Sequence, residues 1–330
     1  MKKIYKLLFF IITIFSTNSL FSQAASYSFA ATSGTFTVNS GAATLLPLVR
    51  ADGYLSTAQS IGFNFVYEGI TYTQFKMSSD GYITFNTAAS STLLTNNFST
   101  ANATSRPILG PLWDDLDGSG PVNSLASFEV TGSSPNRILT VEWLNWEWNY
   151  NSTTPVLSFQ VKLFETSNVI QYVYRQETGA VNSGSASIGI GSAAGSGSGS
   201  YLNLNNSTAS PTPSSTTTTT NISSKPATGQ VYTWTPPFCI APTALVSSNI
   251  TGTTATIGWT ASGSASSYDW ELRTTGSCGS GSPIQSGNTA STSVNLLTLT
   301  ANTTYTYCVR SACTGPTESG WVSGTFTTSC

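Results

Sequence analysis

Along most of this chain apolar and polar residues alternate with a period of two, the pattern of strands with one buried face. Ile61, Phe63 and Phe65 alternate in IGFNFVYEG. Tyr82, Ile83 and Phe85 follow an Asp-Gly turn signal in MSSDGYITFN. RPILGPLWDDLDGSG sets an apolar stretch before an acidic loop. NRILTVEWLNWEWNY, LSFQVKLFE and NVIQYVYRQ read as three successive strands, with Asn168 in the hairpin between the last two. Further on, Ala255, Ile257 and Trp259 share one face, and Tyr268, Trp270 and Leu272 alternate with Asp269, Glu271 and Arg273. Strand-favouring Val, Ile, Thr, Tyr and Trp dominate, and no long 3.6-period stretch appears after the first residues. The predicted class is all-β.

Four phrases occur in order near the end of the chain: TATIGW, SSYDWELRTT, LLTLTANTTYTYCVRS and SGWVSGTFTT. This resembles the fibronectin type III pattern of a strand-B Trp, a strand-C Tyr, a Leu–turn–Tyr corner and a closing strand. The resemblance implies a seven-stranded, immunoglobulin-like sandwich over residues 238–330. Upstream, GFNFVYEG, SSDGYITFN, ILGPLWDDLD, ILTVEW, LSFQVKLFETSNVIQYVY and ASIGIG follow one another. Their order is similar to the nidogen-like (NIDO) extracellular domain and to related sandwich domains of bacterial secreted proteins. It implies a second sandwich within 25–237, so the expected architecture is two β-sandwich domains in tandem. The Ser/Thr-rich stretch 206–224 has no partner in that pattern and is expected to be a flexible surface excursion. GQVYTWTP returns as a closing strand, and Pro236-Pro237 form the linker.

A basic start, the short apolar run LLFFIITIF and a small-residue end mark residues 1–24 as a secretory signal peptide. No later segment approaches membrane-spanning length. Removal of 1–24 takes Lys2, Lys3 and Lys6, leaving 12 − 3 = 9 basic residues against 14 acidic, a formal charge of −5. That argues against nucleic acid as a partner. Charged residues are only 8% of the chain while aromatics reach 12%, which fits a secreted β protein and not a disordered one. The expected partner is an extracellular protein or a glycan.

All five cysteines lie in the last module, which in an exported chain reads as a disulfide framework. Cys308 and Cys313 share a strand; five extended residues span about 16–18 Å, too far for a bridge. The fibronectin assignment favours Cys239–Cys313 with Cys278–Cys308, and Cys239–Cys308 with Cys278–Cys313 is the alternative. Cys330 reads either as the opening cysteine of a further repeat, in a chain that continues, or as a terminal thiol that pairs within the module.

The chain has no His. That removes Ser-His-Asp and Cys-His catalysis and His-ligated metal sites. Glu142 and Glu147 lie five apart, and on a flat strand they face opposite sides, so no carboxylate pair for glycoside hydrolysis is expected. No catalytic residue is expected. Asp115, Asp117 and Ser119 resemble the front half of a calcium loop, although position twelve is Ala126 instead of Glu. The alternative is a polar turn capped by its own Asp side chains. Period-two alternation puts Trp146, Trp148 and Tyr150 on one face, with Glu142 and Leu144, and Val141 and Trp143 on the other. The Trp146 face is expected to be core; exposed, it would be a stacking platform for sugar rings or a partner protein. The expected role is adhesion, display or spacing at the cell surface. The alternative is a carbohydrate-binding accessory of a longer secreted enzyme.

Overall fold

The computed structural model describes residues 24–101, 103–120, 122–150, 153–193, 195–237, 239, 241–262, 265–313 and 318–330. The signal-peptide expectation falls on residues 1–23, outside the described residues. Among the described residues no helix is long and apolar enough to cross a membrane.

The alternating segments of the N-terminal part pair into two antiparallel sheets. One runs, in hydrogen-bonded order, Ser28–Ser33, Gln230–Thr235, Ile170–Gln176, Leu157–Phe164, Ile138–Trp148, Leu125–Thr131 and Thr44–Leu45; Leu116–Asp117 pairs beside Ile138–Trp148. The other runs Pro213–Ser214, Tyr201–Leu204, Ser187–Gly191, Ile108–Trp113, Ile83–Thr84, Ile70–Met77 and Gln59–Tyr67. The first and last strands of this part pair with each other, from Ser28 with Thr235 to Ser33 with Gln230. The sandwich therefore closes just ahead of Pro236.

Both sheets bury one face in a single core that includes Ile61, Phe65, Leu109, Trp143, Phe159, Tyr172, Ile188 and Trp234. Large aromatics with a polar tip need a partner for it when buried. Several find it across the core, while the Trp234 indole N–H has none. Tyr172 donates its hydroxyl to the Gly189 carbonyl at 2.8 Å, Tyr174 to Pro111 at 2.6 Å, and the Trp143 indole donates to Ser78 at 2.9 Å. A smaller cluster of Tyr82, Phe98, Ile108, Trp113 and Tyr201 sits apart from that core.

Two sequence expectations are corrected. The stretch 206–224 is not a free excursion. Pro213–Ser214 pairs with the Tyr201–Leu204 strand, Ile222 bridges to Ala186 and is buried in the core, and Ser207 donates to the Ser224 carbonyl at 2.6 Å. One apolar anchor and local hydroxyl bonds hold a segment that its composition marks as loose.

The second correction concerns the long strand Ile138–Trp148. Its partner advances two residues, Leu157 to Phe159, while it advances three, Trp146 to Trp143. This β-bulge places Asn145 at φ 54° and reverses the alternation. Val141, Trp143, Trp146 and Trp148 all reach the core, and Glu142 and Glu147 fall together on the opposite face. The two carboxylates have separate partners. Glu142 accepts from the Asn39 backbone and from Gln160 at 2.6 Å, and Glu147 accepts from the Gly120 backbone at 3.1 Å.

The C-terminal module has a three-stranded sheet, Thr243–Ser248, Ala255–Thr260 and Ser293–Leu296, and a four-stranded one, Gln285–Thr289, Ala265–Arg273, Thr304–Cys313 and Val322–Thr327. Ile257, Trp259, Tyr268, Leu272, Leu299, Tyr305 and Phe326 fill the space between them. The Tyr305 hydroxyl accepts the Thr300 backbone N–H at 2.9 Å, which pins the turn ahead of its strand. Cys239 is bonded to Cys313 and Cys278 to Cys308; Cys330 is free and exposed. The protein is thus all-β, with two β-sandwich domains in tandem.

Candidate ligand and metal site

The turn Ser78–Gly81 joins the strands Ile70–Met77 and Ile83–Thr84 and carries Asp80. Its backbone is clamped from both sides. The Trp143 and Trp146 indoles donate to the carbonyls of Ser78 and Ser79, at 2.9 and 3.1 Å. Gly81 has φ 73°, and a Cβ there would lie 1.9 Å from the Leu112 carbonyl oxygen, so only glycine fits this close approach. Two further loops are tied to the turn. The Asp80 carbonyl accepts the Asp114 N–H at 3.2 Å, and the Tyr54 carbonyl accepts the Ser79 N–H at 2.9 Å. Arg50 closes the ring: its carbonyl accepts the Gly118 N–H at 3.0 Å, and its Nε donates to the Gly118 carbonyl at 3.1 Å.

These bonds bring three loops to one place, and with them Asp52, Asp80 and Asp115. One carboxylate oxygen of each lies within 4.8 Å of the other two. Asp80 is 0% exposed, Asp115 is half-buried and Asp52 is exposed. Burial pushes the Asp80 carboxyl up to about 7, with Asp115 and Asp52 adding to the rise and the Ser79 and Thr92 hydroxyls partly offsetting it, although only Ser79 makes a hydrogen bond of normal geometry. Asp115 and Asp52 are also raised, first by burial and then by their acidic neighbours. Asp52 and Asp115 line a cleft of about 490 Å³ together with Ser91, Thr92, Leu94 and Tyr150.

The structure sorts the sequence candidates differently from their spacing. Asp115 joins the cluster. Asp117 does not: its two carboxylate oxygens accept the Ser119 N–H at 2.8 Å and the Ser119 hydroxyl at 2.6 Å, a self-capped turn. Asp117 and Ser119 are thus engaged with each other, outside the three-aspartate cluster. Asp114 is fully engaged, by the Trp148 indole and by the Ser185 backbone and hydroxyl. Trp146 and Trp148 are each 1% exposed. The Gly118 backbone packs against the Trp146 ring, where a Cβ would come within 2.6 Å. The two rings cannot serve as a stacking platform, because neither presents a free face. Tyr150, beyond the strand end, is 52% exposed and stands beside the acidic cluster.

Spacing alone missed Asp52 and Asp80. A signal existed: Asp52-Gly53, Asp80-Gly81 and Asp117-Gly118 are three Asp-Gly turns, and a sandwich gathers turns at its ends.

Comparison with protein-family models matches residues 26–236 to the model described as NIDO related and residues 240–325 to the fibronectin type III domain. No curated protein matches. Solved structures similar to part of the chain include a redesigned β-sandwich protein, 28% identical over 28% of this chain and 92% of that one, with a TM-score of 0.25. The fn3 domain of human collagen α-1(XX) is 22% identical over 28% and 88%, TM-score 0.25. The FN5 domain of Drosophila Lar is 13% identical over 26% and 94%, TM-score 0.19. Modules of extracellular type and two disulfides point to an extracellular protein. The chain belongs to the NIDO-related family and carries a fibronectin type III domain after its NIDO-related one.

Proposed function

We propose that this is an exported, non-catalytic protein of adhesion or display, which holds an extracellular ligand at the acidic end of its N-terminal sandwich and uses the fibronectin module as a spacer. The carrying observation is Tyr150, the one aromatic among the large apolar side chains that the described residues expose. It lines the cleft with Ser91, Thr92 and two carboxylates. An exposed ring beside hydrogen-bonding groups suits a hydroxylated ligand, whose apolar face stacks while its hydroxyls are bonded. The same observation favours a second reading, in which the chain is the carbohydrate-binding region of a longer secreted enzyme. The full chain is expected to be retained on one or more immobilised polysaccharides or matrix proteins, and Tyr150→Ala is expected to lose that retention with an unchanged melting temperature. Equal retention of wild type and Tyr150→Ala would refute the assignment of the cleft.

A further inference from the structure

We infer that Asp52, Asp80 and Asp115 form a binding site for a hard divalent cation of the calcium class. This goes beyond the adhesion reading and does not depend on it. Acidic side chains gathered at a surface prove nothing alone; the deciding feature is Asp80. It is 0% exposed, it presents a carboxylate oxygen to both other aspartates, and its Oδ2 has no hydrogen-bond partner. A buried carboxylate oxygen without a donor is costly. Among the described residues no Lys or Arg is paired with any of the three; the ion pairs there engage Glu165, Glu177, Glu271, Asp269 and Glu318. Three carboxylates thus share a small space without a protein counter-charge, and a bound cation supplies both the charge and the missing partner.

Size and donor type set the class of ion. Three oxygens no more than 4.8 Å apart always share a point within 4.8/√3, about 2.8 Å, of each, close to the 2.3–2.6 Å of calcium–oxygen bonds. All donors are oxygens, and the chain has no His. Softer metals that prefer nitrogen or sulfur gain nothing here. The donors come from three separate loops in an irregular array, which suits the adaptable shell of calcium better than the strict octahedron of magnesium. Calcium takes more oxygens than three carboxylates provide. The remaining positions open into the cleft beside Thr92 and Tyr150, where water or a ligand hydroxyl completes the shell.

The test is made on the full chain after treatment with chelator. Calcium chloride at millimolar concentration is expected to raise the melting temperature of the N-terminal domain at pH 8 by several degrees, and titration calorimetry is expected to show one site. Asp115→Asn is expected to weaken that site at least about tenfold, as loss of one of three anionic ligands requires. Asp80 is at the centre and its replacement risks the fold, so Asp52→Asn, at an exposed position, serves as the second variant and is expected to weaken calcium with an unchanged melting temperature in chelator. No thermal shift and no heat with calcium would overturn the inference. So would calcium binding that survives Asp52→Asn and Asp115→Asn together, or an equal shift with magnesium chloride.

Discussion

Trp148 donates its indole N–H to Asp114 Oδ2 at 2.7 Å, which ties the end of the longest strand of the first domain to the start of its acidic loop. Both groups are buried, and the same carboxylate oxygen accepts the Ser185 N–H. The aromatic run therefore acts on the cleft from beneath: Trp143 and Trp146 hold the Asp80 turn, and Trp148 holds the loop of Asp115.

Removing this tie is expected to be expensive. Trp148→Ala should destabilise the N-terminal domain by about 3–5 kcal/mol, on the order of 10 °C in melting temperature for a domain of this size. Asp114→Asn swaps an acceptor for a donor opposite two N–H groups and should cost about 1–3 kcal/mol. Thermal melts of the two single variants and the double variant check both figures; strictly additive losses would show that the pair does not interact.

The bulge gives a second expectation. Asn145 holds φ 54° and donates its Nδ2 to the Asn123 carbonyl at 2.9 Å. A β-branched residue there must adopt a left-handed backbone, so Asn145→Val should cost about 1–2 kcal/mol or more. Asn145→Gly should stay within about 1 kcal/mol of wild type, since glycine enters that region freely. Urea unfolding of the two variants is the measurement. A neutral Asn145→Val would mean that the strand runs regular and that the Trp faces are misassigned.

That bulge also marks where sequence reasoning ran out. Alternation located the strands, and the Leu–turn–Tyr phrase located the corner at Tyr305. A period of two assumes an unbroken pleat, however, and one extra residue at Asn145 moved Trp143 onto the same face as Trp146. The core expectation for Trp146 and Trp148 agrees with their burial; the company assigned to them does not. Asp52, Asp80 and Asp115 are far apart in sequence and meet only because backbone bonds among three loops draw them together, so spacing found just one of them. Composition misread 206–224 for a related reason, since a single Ile222 anchors a stretch of hydroxyl residues.

The pH response follows from Glu147 together with Asp80, whose carboxyl is likewise raised by burial to about 7. Burial, reinforced by Asp117 across the ladder, pushes the Glu147 carboxyl up to about 7, against the pull of the Gly120 N–H. The folded form therefore keeps a proton that the unfolded chain releases near 4.3. This group's contribution to stability is fully present below the unfolded value and is lost as pH rises through about 7. In chelator, the N-terminal domain should melt at a lower temperature at pH 8 than at pH 5, and Glu147→Gln should flatten that slope in part. A slope unchanged in Glu147→Gln would assign it elsewhere.

The disulfides carry a fourth expectation. Loss of either bridge should cost the C-terminal module about 2–4 kcal/mol. The loop closed by Cys239–Cys313 spans 74 residues and that of Cys278–Cys308 spans 30, so opening the first should cost more, by on the order of 1 kcal/mol. Non-reducing peptide mapping should recover both links, and a Cys308–Cys313 peptide would refute the strand that separates them. Guanidinium unfolding of the paired Ser variants gives the ranking.

The bridge from Cys239 to Cys313 also decides how the module yields under tension. A pull applied between the linker at Pro237 and Cys330 enters at Cys239 and crosses at once to Cys313. Of the 91 sequence steps from Cys239 to Cys330, 74 lie inside the bridged loop and bear no load, leaving 91 − 74 = 17. Fully drawn out, those give roughly 60 Å at 3.3–3.6 Å each, against roughly 210 Å once that bridge alone is opened, since the 30 steps inside Cys278–Cys308 still bear no load and 91 − 30 = 61 remain. Oxidised, the module is a short tether with a hard stop; reduced, it is a long extensible one. The redox state of one bond thus sets how far the N-terminal domain can be drawn away from whatever holds the other end.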